Sequence, residues 1–540
     1  MPDAAMPPYA LLGRVVTMNQ AEDVIARGAI YINNGRIERV GDAVATPPQG
    51  FENCLTVDTG GTIYPGLIEL HNHLSYNILP LWNVPQHYDD RSQWSNALAK
   101  TVAISGPMRL LINAGGYLGA IVRYVEAKCL LAGVTTSQGL TLINGGGIEK
   151  KYRGIVRNAE EPDADVLPKA AHRIQDVNDV HAVELVEKRL NDPKSGTYLL
   201  HLCEGIATRT HQHFEALYDQ AHDTWAITDK LAGIHSIGLD SNNLGIFHQH
   251  GGSIVWSPLS NLLLYGCTAD VKRAKQLQIP IALGSDWSPS GSKNLLGELK
   301  VAYLYSKTKG TLFSEVELVR MVTTTPARIL GWQNALGSIE AKKFPDLLVM
   351  NGQTDQPYHQ LIASTEADVC LVIIGGTPRY GATALMKQLG QKGETWQINQ
   401  SSRMLNLAGA PDGDVSGLTL KKAQTILQKA LRALPNPPAL AVAPPIGSIG
   451  DDTQSNGVWS LVLDNDGGEA SASRALVPLT TADVIQEMWA ESVDLQQVVK
   501  PLELDALTVA EDRDTYLTAL KTQTNLPPAI ASGLGDLYPQ

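Results

Sequence analysis

Histidine pairs separated by one residue are the feature of this chain most suited to chemistry. There are three such pairs: His71/His73, His211/His213 and His248/His250. Residues i and i+2 share one face of a β-strand but lie on nearly opposite sides of a helix, so only a strand pair can bind one metal ion. The first pair follows the apolar run GLIEL. Apolar residues around the other two pairs recur every three or four positions, which predicts helices.

Three later apolar runs also stop at a polar residue. His201 follows TYLL, His235 follows LAGI and Asp286 follows PIALGS. Asp286 comes 213 residues after His73, which is about seven units of a (β/α)8 barrel at roughly 30 residues each. The spacing predicts that these residues, with His71, close strands 1, 5, 6 and 8 at one barrel mouth. Each later residue alone could be an ordinary core histidine or a turn carboxylate, but such a coincidence at all three positions is improbable.

This donor set defines the chemistry that we expect. Three imidazoles and a carboxylate suit zinc, with iron(II) as the alternative. A metal held by such a catalytic set keeps one position for water and lowers the pKa of that water to about 7.

The pattern of apolar and turn-forming residues along the chain predicts the strands and helices that must position these residues. Residues 8–64 read as short strands with Asn-Gly and Gly-Gly turns, and strand texture returns after residue 335. Between them, short apolar runs alternate with helical stretches, as in βα units with a parallel sheet. We predict an α/β protein with a (β/α)8 TIM-like barrel and a small β-sandwich domain built from both flanks. The predicted boundaries are 1–64 and 336–390 for the two parts of the sandwich, 65–335 for the barrel and 391–540 for a C-terminal extension.

The C-terminal extension has helical and strand patterns but no chemical motif. Residues 418–434 carry apolar side chains at helical spacing, 457–466 resemble a strand and 481–493 resemble a helix. Such a segment could cap the barrel mouth, form a dimer interface or bind a partner.

Composition limits the class of protein. Of 540 residues, 44% are apolar and 18% are charged, which suits a soluble globular protein, and a net charge of −12 argues against nucleic-acid or anionic-membrane binding. The sequence has neither a run of about 20 apolar residues nor a secretory signal pattern. Five scattered cysteines fit a reducing compartment. We expect a cytoplasmic homodimer or higher homo-oligomer that acts on a small molecule.

Several of these segments resemble the amidohydrolase superfamily, in particular its branch of chlorohydrolases and aromatic deaminases that includes guanine deaminase and the triazine hydrolases. The resemblance covers about residues 10–390. It rests on PGLIELHNH, GVTT, HLCEG, GIHSIGL, GGSIVWSPLSNLLL, ALGSDW, TTTPARILG and FPDLLVM.

The resemblance implies a role for each candidate residue. One divalent metal per subunit would be bound by His71, His73, His201 and Asp286. Asp286 would also accept a proton from the attacking water. Glu204 would carry a proton to the leaving group, and His235 would hold the atom under attack or the hydroxide.

The number of metals depends on strand 4. Members with two metals bridge them with a carboxylated lysine at the end of that strand, which we expect near KKYRGIVRNAE. Lys150 and Lys151 precede the apolar run there rather than end it, which favours a single metal.

Aromatic residues after the first histidine pair are candidates for substrate binding. Long loops at a barrel mouth commonly line the pocket, and Tyr76, Trp82 and Trp94 could stack on a planar ring, beside His235. Packing within the loop explains each of them equally well. The glycine-rich stretch 141–147 is a second candidate mouth loop.

The expected activity is hydrolytic deamination of an amino-substituted heterocycle or amidine. Hydrolysis of a cyclic or linear amide is the alternative, since it needs the same metal and Asp286 but depends less on Glu204. An inactive scaffold that has kept the barrel is the third reading.

Overall fold

The computed structural model of the chain describes residues 6–95, 97–143, 149–152, 154–173, 176–177, 180–192, 195–409, 418–440, 460–463 and 494–538. All structural statements below refer to these residues. Among them, no helix is both long and apolar enough to span a membrane.

Strands from both flanks of the chain join in one sheet. Its first four strands are β1 (Tyr9–Val16), β2 (Val24–Asn33), β3 (Arg36–Asp42) and β4 (Leu55–Pro65). Its later strands are β17 (Leu347–Met350), β18 (Val369–Ile374), β19 (Thr377–Ala382), β20 (Glu394–Ile398) and β21 (Ser401–Leu405). The order is β20-β21-β19-β18-β17-β4-β1-β2-β3, and the flanks meet where β17 pairs antiparallel with β4. The sheet therefore continues past residue 390 to Leu405.

Eight short parallel strands form the second layer of the fold. They are β5 (Leu67–Glu69), β6 (Val134–Ser137), β9 (Arg157–Asn158), β10 (Lys169–Arg173), β11 (Ser195–Leu202), β14 (Leu231–His235), β15 (Ser253–Trp256) and β16 (Ile281–Leu283). The first three pair with one another, and the last five form a sheet in chain order. The Ala170 amide donates to the Ala159 carbonyl, and a parallel bridge joins Asn72 to Asp286. These two links connect both sides of the sheets, as the predicted (β/α)8 barrel requires.

The fourth parallel strand lies later in the chain than expected. It is β10, because the apolar run of KKYRGIVRNAE provides only β9, the third strand. The lysine pair lies on β8 (Glu149–Lys151), which pairs antiparallel with β7 (Thr141–Ile143) in a hairpin outside the barrel. The expected position of strand 4 was therefore wrong, although both lysines still lie off that strand.

Helices follow most barrel strands and surround them. Those before residue 270 are α1 (Arg91–Ser95), α2 (Leu98–Lys100), α3 (Gly106–Ala114), α4 (Leu118–Leu131), α5 (Val180–Asn191), α6 (Thr208–Glu215), α7 (Ser241–Gln249) and α8 (Pro258–Tyr265). Those after it are α9 (Val271–Gln276), α10 (Leu295–Thr308), α11 (Glu315–Arg320), α12 (Thr324–Ile329), α13 (Pro357–Ala363), α14 (Thr383–Gln388) and α15 (Leu420–Arg432). Two 3-10 turns, Leu74–Ile78 and Glu366–Asp368, and a π-turn, Thr101–Ser105, join them; the hairpin β12 (Tyr218–Asp219) and β13 (Thr224–Trp225) precedes strand 6.

The predicted amphipathic helix of the C-terminal extension is confirmed as α15. Its buried side chains are Leu420, Ala423, Leu427, Ala430 and Leu431, and the helix packs on α4 of the barrel. Spacings of three and four residues place these side chains on one helical face, so burial against α4 accounts for the pattern.

The rest of the extension returns to the barrel. Its helices are α16 (Leu495–Val498), α17 (Val509–Thr522) and α18 (Pro528–Leu537), and α18 packs on α10. Of the strand-like stretch 457–466, the strand β22 (Ser460–Leu461) pairs with β7. The predicted helix 481–493 and the glycines at 145–147 lie outside the described residues.

Candidate metal and catalytic site

The first histidine pair lies immediately after the first barrel strand. β5 ends at Glu69, the chain bends at Leu70, and Asn72 then forms a bridge to Asp286. The His73 amide donates to the Asp286 carbonyl at 2.6 Å, and the Asp286 amide donates to the His71 carbonyl at 3.0 Å. The bridge fixes the two histidines beside Asp286, and both side chains face its carboxylate.

The other candidates lie at the carboxyl ends of neighbouring strands. His201 is the penultimate residue of β11, His235 is the last residue of β14, and Leu202 and His235 are register partners. Asp286 follows β16 by three residues. His235 and Asp286 have positive φ angles of 64° and 65°, which are unusual for residues other than glycine. Such strained backbone turns are common where a strand end must aim a side chain into a site.

The side chains converge within a few ångströms. Nε2 of His71 lies 3.0 Å from Oδ1 of Asp286, and Nε2 of His73 lies 3.5 Å from the same oxygen. The ring centroids of His71 and His201 are 4.8 Å apart, and those of His201 and His235 are 5.3 Å apart. Two sets have ligand atoms close enough for one ion: His71, His73 and Asp286, and His71, His201 and His235.

The protonation states of these groups suit metal binding. Burial, with neighbouring cationic groups, holds the pKa of His201 well below its usual value, so its imidazole is neutral. Burial alone would raise the pKa of Asp286, but His71, His235 and His73 lower it below its usual range, so the group is a carboxylate. Nε2 of His71 is buried and faces the Asp286 carboxylate. A neutral imidazole, a carboxylate and a buried ring nitrogen that faces this carboxylate fit a divalent cation.

A hydrogen bond from behind fixes the orientation of His235. Its Nδ1 lies 2.8 Å from Oδ1 of Asn261, which can only accept, so Nδ1 carries the proton. Nε2 is the ring nitrogen that faces the site, where it lies 3.8 Å from Glu204 and 4.0 Å from Asp286. His235 is therefore placed to accept a hydrogen bond or bind a cation at Nε2.

Glu204 is buried in a network of its own. The Tyr265 hydroxyl donates to Oε1 of Glu204 at 2.7 Å and accepts from Nε1 of Trp94 at 2.7 Å. Nε of Arg91 lies 3.5 Å from the other carboxylate oxygen. Burial and the adjacent Glu204 raise the pKa of Tyr265, so this tyrosine remains a donor. Glu204 is thus held in place from one side and faces His235 from the other.

The aromatic loop residues pack against Trp287. The ring of Trp287 lies 5.2 Å from Tyr76, 5.9 Å from Trp94 and 5.9 Å from His73. Tyr76 has no exposed surface, so its ring supports Trp287. Among the described residues, no ring contact joins Trp82 to the site; its backbone bonds to Pro289 and to the Gln523 side chain instead.

The other two histidine pairs have a different setting. His211 and His213 lie in α6, while His248 is in α7 and His250 ends that helix. Their predicted helical setting is confirmed.

Sequence reasoning missed four residues of the site: Gln138, Asn261, Tyr265 and Trp287. Oε1 of Gln138, just after the second barrel strand, lies 3.4 Å from Nδ1 of His71. Asn261 and Trp287 stand within the segments GGSIVWSPLSNLLL and ALGSDW that carried the resemblance, so those motifs offered a signal. Nothing in the local pattern distinguishes Tyr265 from a core tyrosine, because its role depends on contacts with distant residues.

These histidines, a carboxylate after the eighth strand and a buried glutamate converge at the carboxyl ends of parallel strands, an arrangement that could hold a metal ion and that suits a hydrolase. Residues 197–379 match the model of the amidohydrolase family. The chain therefore carries an amidohydrolase family domain, which confirms the resemblance seen in the sequence.

Comparisons with individual proteins agree with this class. The chain is 24% identical over 413 residues to a 5-methylthioadenosine/S-adenosylhomocysteine deaminase of Syntrophobacter fumaroxidans, covering 67% of this chain and 90% of that enzyme. It is 26% identical over 174 residues to an S-triazine hydrolase of Gordonia rubripertincta, covering 31% of this chain and only 36% of that enzyme.

A solved structure supports the fold. Atrazine chlorohydrolase from Arthrobacter aurescens TC1, complexed with zinc, superposes with a TM-score of 0.53 at 17% identity. The match covers 68% of this chain and 94% of that one. The predicted class, a hydrolase of the amidohydrolase family, is confirmed by the family match and the two relatives.

Proposed function

We propose that the chain is a hydrolytic deaminase that removes an amino group from an amino-substituted heterocycle or amidine. The observation that supports this most directly is the position of Glu204, a buried carboxylate 3.8 Å from Nε2 of His235. Replacement of an amino group by water needs a group that protonates the leaving amine, and Glu204 is suited to that role.

One divalent metal, zinc by our proposal, would be held by His71, His73, His201 and Asp286. When bound, such an ion supplies Lewis acidity and lowers the pKa of water towards neutrality. The supporting observations are the closeness of the ligand atoms, the neutral His201 and the buried Nε2 of His71 beside the Asp286 carboxylate.

The protein groups divide the proton transfers between them. Asp286 is a carboxylate at neutral pH and can take a proton from the attacking water. His235 presents Nε2 to the substrate atom under attack or to the water itself. Glu204, held by Tyr265, takes up a proton that originates from the attacking water and delivers it to the departing nitrogen, so that ammonia leaves and both carboxylates return to their starting forms. Fixed positions for these groups reduce the reorganisation that the reaction needs.

The adjacent indole rings of Trp94 and Trp287 favour a planar substrate. The indoles of Trp94 and Trp287 are adjacent, that of Trp287 lies beside His73, and Arg91 lies close to Glu204. Indole rings stack on flat heterocycles, and a guanidinium can read a polar ring edge. Tyr76 would act behind Trp287, and Trp82 by anchoring the loop.

An activity screen tests the proposal. The purified, zinc-loaded chain is assayed for ammonia release with aminopurines, aminopyrimidines, aminopterins and aminotriazines, and for ring opening with cyclic amides. We expect ammonia release from at least one amino-heterocycle and loss of that activity in Asp286→Asn, since the amide cannot accept the proton. Far-UV circular dichroism should show an intact fold.

Asp240→Asn is the matched control, because Asp240 is an exposed helix cap whose function asparagine retains. It should keep parental activity. Ring opening of amides without ammonia release from any amino-heterocycle would refute deamination, and undiminished turnover in Asp286→Asn would refute the assigned role of that carboxylate.

A further inference from the structure

One buried carboxylate of the C-terminal extension, that of Asp505, is hydrogen-bonded to residues of the barrel. Asp505 is 5% exposed and accepts hydrogen bonds from Lys128 of α4 and Lys293, the latter at 2.5 Å. Its amide donates to the Ile78 carbonyl at 3.0 Å, and its carbonyl accepts from the Tyr124 hydroxyl at 2.6 Å. Backbone and side chain of this residue are thus both bonded to the barrel.

Lys128 extends this contact to the loops that carry the metal-ligating residues. Besides Asp505, its ammonium group donates to the Asn77 carbonyl at 2.8 Å and to the Ser288 hydroxyl at 2.9 Å. The Ser288 amide donates to Oδ1 of Asn77, and the Asn77 amide group donates to Asn72. Asn72 separates the two histidines of the first pair, and Ser288 follows Asp286 by two residues.

The far end of the same segment holds the aromatic loop. The Gln523 side chain accepts from the Val84 amide at 3.2 Å and donates to the Trp82 carbonyl at 2.9 Å, as a neighbouring strand would. The Asn525 carbonyl lies 3.1 Å from Nε2 of His87, and its side chain donates to the Leu263 carbonyl of α8 at 3.0 Å. α8 also carries the partners of His235 and Glu204.

We propose that residues 505–525 are a positioning element of the active site. Asp505, through Lys128, fixes the two loops that present His71, His73 and Asp286, and Gln523 fixes the aromatic loop that encloses the substrate. These residues touch neither metal nor substrate, and they lie outside the segment that matches the amidohydrolase family. The inference rests on the proposed metal site for its metal and kinetic measurements, but not for its exchange measurement.

The experiment uses two variants of the full chain. Asp505→Asn removes the charge that holds Lys128, and Gln523→Met removes both hydrogen bonds at similar volume. Release of zinc from the loaded protein to a chromophoric chelator is followed, together with hydrogen exchange of the metal-free protein by mass spectrometry. Steady-state kinetics use whichever amino-heterocycle the screen identifies.

We expect the two variants to fail differently. Asp505→Asn should lose zinc about tenfold faster or more, as is typical when groups behind metal ligands are removed. Amide exchange around residues 72–79 and 286–289 should accelerate. Gln523→Met should release zinc at the parental rate but show faster exchange around residues 82–88 and a several-fold higher KM, with a smaller change in kcat.

Matched controls exist within the same extension. Glu503→Gln neutralises an exposed carboxylate two residues before Asp505, whose partner is Arg432 on the surface. Gln497→Met removes an exposed side chain that bonds only Asp494 among the described residues. Both should match the parent in every measurement.

If Asp505→Asn fails to fold, a double variant tests the same contact. Asp505→Asn with Lys128→Met removes both members of the contact, while Lys293 keeps Asp512 at 3.1 Å as its partner. It should reproduce the fast zinc release. Parental zinc release and parental exchange in a folded Asp505 variant would overturn the inference. If the parent binds no zinc, the proposed function fails, and exchange of the metal-free variants still decides the positioning role.

Discussion

At the residue scale, the site depends on the residues that hydrogen-bond to His235 and Glu204 as much as on the proposed metal ligands. Asn261 sets the proton on His235, and Tyr265 holds Glu204 against it. A carboxylate that must deliver a proton in one direction has to be oriented before the reaction, because reorientation during the reaction costs free energy. Tyr265 is therefore the residue whose loss should affect chemistry without affecting metal binding.

We predict that Tyr265→Phe lowers kcat by about tenfold, the effect of losing one hydrogen bond of about 1.4 kcal/mol that orients Glu204. Zinc content should stay parental, since Tyr265 contacts no proposed ligand. The measurement is steady-state kinetics with metal analysis of the same preparation. Tyr218→Phe, which removes a hydroxyl bonded to the surface residue Asp223, is the control. Parental kcat in Tyr265→Phe would show that Glu204 needs no support from it.

The sequence pattern predicted the histidines and Asp286 of the site, but it did not predict the residues that hydrogen-bond to His235 and Glu204. His71 and His73 could be separated from the other pairs because strand and helix periods differ. His201, His235 and Asp286 followed from strand ends and barrel spacing. Asn261 and Tyr265 are polar positions in the otherwise apolar α8, and only the fold brings them to His235 and Glu204.

At the element scale, α8 is coupled to α10 through one buried acid. Glu298 of α10 accepts from the Leu259 amide, in the first turn of α8, at 2.9 Å and from the Ser292 hydroxyl. Burial raises the pKa of Glu298 to about 8. The acid is therefore protonated at neutral pH in the folded chain but ionised in the unfolded chain.

This difference gives stability a defined pH dependence. Between the unfolded value of about 4.5 and the folded value of about 8, the unfolded chain binds fewer protons at this site, so stability falls as pH rises. Glu298→Gln can still accept from the Leu259 amide, its amide nitrogen can donate to the Ser292 hydroxyl in reversed direction, and the substitution removes this contribution. We expect its thermal midpoint to exceed the parental midpoint increasingly from about pH 5 to about pH 8. The stabilisation should reach a few kcal/mol at the upper end.

The measurement is thermal unfolding at several pH values. Glu38→Gln, an exposed glutamate in the large sheet, is the control and should follow the parental curve at each pH. Parallel curves for Glu298→Gln and the parent would mean that Glu298 is ionised in the folded chain.

Strand 4 shows where element prediction failed. The apolar run GIVRNA looks like a strand of ordinary length, yet only Arg157–Asn158 pairs there. Polar and proline-containing sequence follows, and the pairing with strand 5 begins at Lys169. Short barrel strands depend on their neighbours for hydrogen bonds, so local pattern alone cannot locate their ends. Long amphipathic helices such as α15 can be located from the sequence, because the apolar residues of one face recur at helical spacing over the whole segment.

At the scale of the whole molecule, the barrel and the large sheet are joined by a buried ion pair. Nε of Arg157, on the third barrel strand, lies 2.7 Å from Asp346, and a second guanidinium nitrogen lies 3.1 Å from the other carboxylate oxygen. Asp346 directly precedes β17, its side chain accepts from the Gly375 amide at 2.8 Å, and its carbonyl accepts from the Gly66 amide. Strand texture predicted that both flanks belong together, but it could not show what fastens them to the barrel.

We predict that Asp346→Asn destabilises the protein by about 3–5 kcal/mol, since it leaves the Arg157 guanidinium buried with only the half-exposed Asp163 as a carboxylate partner. Calorimetry should show a lower midpoint, and hydrogen exchange should accelerate in β9 and β17 together. Asp355→Asn, which removes an almost fully exposed carboxylate bonded to Arg14 of the same sheet, is the control and should leave both unchanged. The double variant Asp346→Asn with Arg157→Met should recover part of the loss, because it buries no unpaired charge. A double variant no more stable than Asp346→Asn would place the effect in the hydrogen bonds to the Gly375 amide and its neighbours, and a parental midpoint in Asp346→Asn would show that the ion pair does not fasten the two layers.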